Sequence, residues 1–222
     1  MTSFKDLVAK ASKHHGSKKV VMDKASNGHL RNIARVKDDR LLSQMTKNVF
    51  SAGFSWKVIE NKWPGFEEAF DKFDPHRVAF YSDEDLDRLV SDKQIVRNGQ
   101  KIKATVENAR MVVDKAKEHG SFAKFLADWP AGDQAELLAH LAKHGSRLGG
   151  ATGQYFLRFS GWDAWIASRD VCAALHREGV IDKPSATSKT ALRQVGEAIN
   201  NWSEESGEPR AVVSRVLALS VG

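Results

Sequence analysis

Leu148-Gly149-Gly150-Ala151-Thr152-Gly153 sets a cluster of glycines between two helix-like stretches, and Asp170, in Ser168-Arg169-Asp170-Val171, opens the next helix a short distance on. A glycine turn lets backbone N–H groups approach a phosphate closely, with no Cβ in the way. A carboxylate just beyond such a clamp sits near the sugar of the held nucleotide. The combination points to chemistry on a nucleic acid. Each half also has a plainer reading. The glycines serve equally as a turn between packed helices. Asp170, one step inside a helix capped by Ser168, complements the helix dipole by about 0.3–1 kcal/mol.

The elements that must position these residues all read as helix. Asp38 or Asp39 caps a helix carrying Leu41, Leu42, Met45, Val49 and Phe50 on one side, and Ser55 caps the next, through Trp63, where Pro64 stops or restarts it. Phe66, Phe70 and Phe73 recur at helical spacing before Asp74-Pro75. Ser82 caps a short acidic helix with Leu86 and Leu89. A longer helix over 100–119 ends at Gly120, and Ser121 caps another that ends near Trp129-Pro130. Further helices are expected at about 132–145, 152–160, 168–178, 187–206 and 210–220. No alternating segment of strand length, internal repeat or low-complexity tract stands out, so the fold class is all-α.

Composition narrows the function classes. The 222 residues form one large domain or two small lobes, and 41% hydrophobic with 28% charged residues is ordinary for a soluble globular chain. No run of 18 apolar residues offers a membrane span, and the N-terminus lacks the apolar core of a secretory signal, so a cytoplasmic protein is expected. Cys172 is the only cysteine, which excludes an intramolecular disulfide, a four-cysteine iron–sulfur cluster and any zinc site needing two thiolates. The net charge of +6 sits in residues 1–35, with eight Lys/Arg against two Asp/Glu, while the remaining 187 residues hold 26 of each. Such an arm suits loose attraction to phosphate backbones, and equally a solvated, partly frayed terminus.

Ser51-Ala52-Gly53-Phe54-Ser55-Trp56 is followed by FEEAFDKFDPHRVA (66–79), DLDRLV (85–90) and IVRNGQKIKATVENAR (95–110). The first is similar to an AGLSW element, and with the others in the same order and spacing residues 41–129 resemble the DNA-3-methyladenine glycosylase I family. From about 147 the chain resembles the wider helix-hairpin-helix DNA glycosylase superfamily, with a hairpin of leucine and glycines, a helix, then an aspartate entering another helix. The chain is identified as a divergent member, and the resemblance covers roughly residues 38 to 180. It implies two helical lobes with a cleft between them. A basic segment over 1–35, a glycosylase core over 36–180 and C-terminal helices over 181–222 packing back on the N-terminal part are expected.

The resemblance implies a monofunctional DNA glycosylase of base excision repair, hydrolysing the N-glycosidic bond of alkylated purines such as 3-methyladenine in damaged duplex DNA. A stacked base hides its glycosidic bond, so the base must be flipped out. Trp56, Asn48 and Phe50 would form the base pocket, and Phe54 the wedge that fills the gap. Gly149, Gly150, Ala151, Thr152, Gly153 and Gln154 would form the phosphate-binding hairpin, with a monovalent cation on its carbonyls, and Asp170 would be the catalytic carboxylate. Asn48 stands where the family has a base-recognising glutamate; it can hydrogen-bond but carries no negative charge. Gln154 stands where bifunctional relatives have a Schiff-base lysine, and a neutral amide cannot be that nucleophile, so no lyase activity is expected.

The family's zinc ligands, two cysteines and two histidines, have no counterpart, and His14, His15 and His29 are not assigned as ligands. No zinc, iron–sulfur cluster or other required cofactor is expected, and the chain is expected to act as a monomer, nucleoid-associated if prokaryotic. Trp162 and Trp165 read as core, and His140 with His144, four apart, as exposed helix histidines lacking a third ligand. The alternative to an enzyme is a damage-binding helix-hairpin-helix protein without catalysis, favoured by Asn48 and the missing zinc ligands and opposed by Asp170. A helical scaffold for protein partners is the third reading.

Overall fold

The computed structural model describes residues 2–26, 28 and 30–222, and every regular element among them is helical. His29 lies outside the described residues. Two helices that the sequence reading did not anticipate come first: α1 (Phe4–His15), capped by Ser3, and α2 (Lys18–Ser26). Next, α3 (Asp38–Ser51) and α4 (Trp56–Ala69) flank the Ala52–Ser55 turn. The short α5 (Pro75–Val78) and α6 (Asp83–Ser91), the latter with a reciprocal Ser82–Asp85 capping box, lead into α7 (Gly99–His119), which stops at left-handed Gly120. The chain continues through α8 (Phe122–Asp128), α9 (Gln134–His144), α10 (Ala151–Ser160), α11 (Arg169–Arg177), α12 (Lys189–Ser206) and α13 (Arg210–Leu219).

Two hydrophobic cores share α3 and α7 as a common wall. Leu41, Met45 and Val49 of α3 face the larger core, built with α1, α2 and α8–α13. Leu42 and Phe50 face the smaller one, closed by Phe66, Phe70 and Phe73 and by Ile102, Val106 and Ala109 of α7. A helix whose neighbouring positions are claimed by different cores is apolar around most of its girth, and this is why α3 and α7 are buried along much of their length.

Two details of the sequence reading are corrected. Asp38 does not cap its own helix: Lys37 holds that position, and the Asp38 carboxylate accepts from the Phe122 and Ala123 amides, both at 2.9 Å, at the start of α8. Pro64 neither stops nor restarts a helix, because α4 runs through it to Ala69. The carbonyl that loses its helical partner is that of Glu60, an exposed residue. The aromatic-rich segment after α4 contains a left-handed turn, with φ of 51° at Asp71, 55° at Lys72 and 60° at Phe73. Such backbone costs about 1–2 kcal/mol per residue. Arg40 holds the Lys72 carbonyl at 2.6 Å, the Tyr81 hydroxyl donates to Asp71 at 2.7 Å, and the Phe73 ring stacks on Trp63 and Phe70.

Among the described residues of the basic N-terminal segment, α1 and α2 are folded onto the body rather than frayed. Phe4, Leu7, Val8 and Ala11 sit in the larger core, and α1 and α2 pack on α12 and α13. The Trp202 indole donates to the Thr2 carbonyl at 2.7 Å. Arg31 closes the end of α10, donating to the carbonyls of Ser160 (3.0 Å) and Phe159 (3.2 Å). The Glu178 carboxylate, 3% exposed, accepts from Thr2, Lys10 and Arg177. Burial pushes its pKa up, but the three hydrogen bonds outweigh burial and bring it from 4.5 down to about 2. Glu178 therefore adds stability in full above about pH 4.5, and loses it as the pH falls toward 2. Glu178→Gln should cost roughly 2–3 kcal/mol at pH 7, lowering Tm by roughly 5 °C. Thermal unfolding across pH should show the gap between wild type and variant closing between about pH 4.5 and 2; a gap independent of pH would remove the charge from this account.

Candidate nucleic-acid interface

The glycine turn between α9 and α10 is a hairpin held from outside. Asn108, fully buried on α7, donates to the Ser146 carbonyl at 3.0 Å and accepts from the Ser146 amide at 2.7 Å. Arg147, at φ 57°, turns the chain and its guanidinium bonds to Gln100. Leu148 is buried beneath the turn, and Gly149 and Gly150 are exposed above it. Gly150 adopts φ 58°, ψ −135°, a conformation closed to side-chain-bearing residues, and caps α10. Gly153 is required for a different reason: a Cβ there would lie 2.4 Å from the Leu148 carbonyl oxygen. The amides of Ala151, Thr152 and Gly153, first in the helix, have no intrahelical acceptor. The Gln154 side chain is buried and its Oε1 accepts from the Ala167 amide at 2.7 Å, so it ties α10 to the loop that follows.

That loop delivers Asp170. Residues 161–168 join α10 to α11 without regular structure, yet buried side chains pin nearly every step. The Trp162 indole donates to Leu126 O (3.0 Å), Arg158 to Ala164 O (2.6 Å), and Gln134 bonds both the amide and carbonyl of Trp165 (2.7 Å each). Ser214 Oγ accepts from Ile166, and Gln154 from Ala167. Burial, and then the nearby Arg215 charge, lowers the Arg158 guanidinium to about 10. Ser168 caps α11 through the Val171 amide, leaving Asp170 exposed in the first turn with no hydrogen-bond partner. A carboxylate on a pinned loop, spending none of its acceptors on the protein, is free to face a ligand.

The Ala52–Ser55 turn supplies aromatic surface. Gly53 is left-handed (φ 71°), and Phe54 and Trp56, 47% and 40% exposed, stand on either side of Ser55. The Trp56 ring packs edge-on against Tyr155 (6.1 Å) and Phe159 (5.7 Å) of α10, which ties this turn to the hairpin helix. Lys101 donates to the carbonyls of Phe50 (3.0 Å) and Ala52 (2.7 Å), closing the end of α3; burial and then Arg147 lower its pKa. Asn48 is 3% exposed, with its oxygen accepting from Gln44 Nε2 at 2.8 Å and its Nδ2 unpaired. Phe50 is corrected: fully buried, edge-on to Phe66 at 4.7 Å, it belongs to the smaller core and not to a pocket wall.

Trp56 and the hairpin helix are thus brought together, and Gln154 links that helix to the loop before Asp170. The sequence reading missed Tyr155, Phe159, Asn108, Gln134 and Arg158. Tyr155 and Phe159, four apart on α10, were the one legible signal. Trp162 and Trp165 are core, as read. The His140 and His144 rings lie 4.3 Å apart, with His140 against Phe125 and Trp129, and among the described residues no three His, Cys, Asp or Glu side chains are placed to hold a metal. Cys172 is buried on the Ala167 carbonyl. No helix among the described residues is long and apolar enough to cross a membrane.

Residues 32–146, more than half of the chain, match the family model of the methyladenine glycosylases. DNA-3-methyladenine glycosylase 1 of Escherichia coli (strain K12) is 36% identical over 75 residues, which is 34% of this chain and 40% of that protein. The match to the Haemophilus influenzae DNA-3-methyladenine glycosylase has the same extent at 31% identity, so the chain spans about 40% of the length of these curated relatives. The solved 3-methyladenine DNA glycosylase I of Staphylococcus aureus superposes with a TM-score of 0.54 at 26% identity, covering 69% of this chain and 92% of its own. The Methanocaldococcus jannaschii 8-oxoguanine glycosylase/lyase, in complex with DNA, matches over 96% of this chain and 95% of its own at a TM-score of 0.54; at 12% identity it speaks to the fold alone, which extends through the C-terminal helices. The protein is an all-α chain of the helix-hairpin-helix glycosylase fold, and it belongs to the methyladenine glycosylase family.

Proposed function

We propose that the chain is a monofunctional DNA glycosylase, acting as a monomer on alkylated purines such as 3-methyladenine in damaged duplex DNA during base excision repair in the cytoplasm or nucleoid. The observation that carries this reading is the contact of half-exposed Trp56 with Tyr155 and Phe159 on the helix that starts at the glycine hairpin. A base-stacking surface and a phosphate grip then belong to one unit. A flipped, positively charged ring gains stacking and cation–π attraction on Trp56, about 1–2 kcal/mol once desolvated. Phe54 would fill the gap. The hairpin amides would take a flanking phosphate. Asp170, with free acceptors, would stabilise positive charge developing on the sugar or orient a water for attack. An alkylated base is already a good leaving group, so no protonating acid is required.

Gln154 offers no amine, so the strand is left intact after base release. The described residues do not fit a zinc ion: the thiol of Cys172 is buried and bonded to a backbone carbonyl, and among the described residues no three His, Cys, Asp or Glu side chains are placed to hold a metal. A monovalent cation would sit on the hairpin carbonyls, where the space beside Gly150 is open, and takes no part in the bond cleavage.

Incubation with methylated duplex DNA should release methylated purine bases without cutting the strand. Trp56→Ala should slow release by roughly 10- to 30-fold, the loss expected from one desolvated aromatic contact. Tight binding to an abasic-site duplex with no base release would replace the enzyme by a damage-binding protein, the reading that Asn48 favours.

A further inference from the structure

Residues 164–167, which lead into the cap of α11, each give a backbone group to a side chain buried on another element. Arg158 of α10 takes the Ala164 carbonyl, Gln134 of α9 both polar groups of Trp165, Ser214 of α13 the Ile166 amide, and Gln154 of α10 the Ala167 amide. All four side chains are at most 5% exposed. A backbone N–H only donates and a carbonyl only accepts, so these partners fix which end of each amide side chain faces the loop. A surface connection can leave such groups to water. Taking four polar side chains out of water, one of them a guanidinium, holds the loop in a single conformation.

Ser214 joins that loop to α13, outside the residues 32–146 matched to the family. Its Oγ accepts from the Ile166 amide at 3.2 Å and from Arg158 Nη2 at 3.0 Å, which engages both lone pairs of the hydroxyl. Asp163 of the same loop returns the contact, accepting from the Arg210 and Ala211 amides (3.1 and 2.8 Å) at the start of α13. Helix α11 packs on α13, and at its far end Arg177 donates to the Ser220 carbonyl (2.7 Å) and hydroxyl (2.9 Å). Both ends of α11 are therefore tied to α13, and Asp170 stands exposed in its first turn. Building on the glycosylase reading above, we infer that α13, through Ser214, positions Asp170 for the bond cleavage. Ser214 is buried and reaches no ligand; it is a positioning residue. Without its hydroxyl the Ile166 amide is freed and the buried Arg158 loses an acceptor. The loop then shifts to satisfy them and carries Asp170 with it.

The test is a double-mutant cycle, read in single-turnover release of methylated purines from methylated duplex DNA. Melting temperature and binding to an abasic-site duplex are measured beside it. Ser214→Ala should slow release roughly 10- to 100-fold, as a misplacement of about 1 Å does. Binding should stay nearly unchanged, because Trp56 and the hairpin are untouched. In an Asp170→Asn background the same substitution should slow release little further, because nothing is left to position. Asp163→Asn weakens the same junction from the loop side; it should show the same pattern, and it carries the test if Ser214→Ala does not fold. Equal slowing in both backgrounds overturns the inference and leaves the glycosylase standing, as does a wild-type rate in the folded variants. If Asp170→Asn releases base as fast as wild type, the inference falls with Asp170 while the enzyme stands. Release of no base by wild type removes the enzyme and the inference together.

Discussion

Replacing Asp170 by asparagine should slow base release from methylated duplex DNA by at least roughly 100-fold while leaving the protein's melting temperature and its binding to an abasic-site duplex nearly unchanged. The two halves of this expectation have separate causes. Asp170 is exposed, bonds to nothing, and contributes to its helix only through the dipole, about 0.3–1 kcal/mol, and asparagine has nearly the same shape. The fold therefore hardly notices the change. The transition state of N-glycosidic cleavage places positive charge on the sugar, and a preorganised opposite charge acting there contributes roughly 10²–10³ in rate. Single-turnover base release alongside thermal unfolding separates the effects. Equal release by both proteins would take Asp170 out of the mechanism and leave it as a helix-dipole residue.

Gly153→Ala should destabilise the protein, because the added methyl group has no room. The added Cβ would meet the Leu148 carbonyl oxygen at 2.4 Å and Leu138 Cδ2 at 3.1 Å. The first neighbour is backbone and cannot rotate away. Leu148 is buried, and the turn it sits on is clamped by Asn108 through Ser146. Overpacking of this kind costs about 1–3 kcal/mol, or roughly 3–10 °C in Tm for a chain of this size. Opening the hairpin should also displace the amides of α10, so DNA affinity should fall with stability. Gly149→Ala is the control: its Cβ would find only Ala142 Cβ at 4.0 Å, an ordinary contact, so its Tm should stay within about 1 °C of wild type. If Gly149→Ala alone weakens DNA binding, close phosphate approach is its role; if Gly153→Ala melts like wild type, the hairpin is looser than this packing requires.

The arm of residues 1–35 shows how charge can mask a fold signal. Its eight Lys/Arg suggested attraction to phosphates or a solvated end, but Ser3 followed by Phe4, Leu7, Val8 and Ala11 already carries a cap and helical spacing. The apolar stripe proved the stronger determinant, because burying it on α12 and α13 outweighs solvation of the lysines on the opposite face.

Local signals carried much else. Helix ends at Ser82, Gly120, Ser121 and Ser168 were legible because a cap acts within three or four residues of itself. The order and spacing of the SAGFSW, FDPHRVA and hairpin motifs pointed to the family and its helical fold. What only the tertiary structure decided are bonds between distant residues. Asp38 caps a helix 84 residues away, Asn108 clamps a hairpin 38 residues on, and Gln134 holds the loop before Asp170 from 31 residues back. The same is true of the division of α3 between two cores, which buries Phe50. A cap or a periodic stripe satisfies groups within its own turn and so leaves a mark in the sequence. A buried amide satisfies groups brought to it by packing, and nothing in its neighbours along the chain records which groups those are.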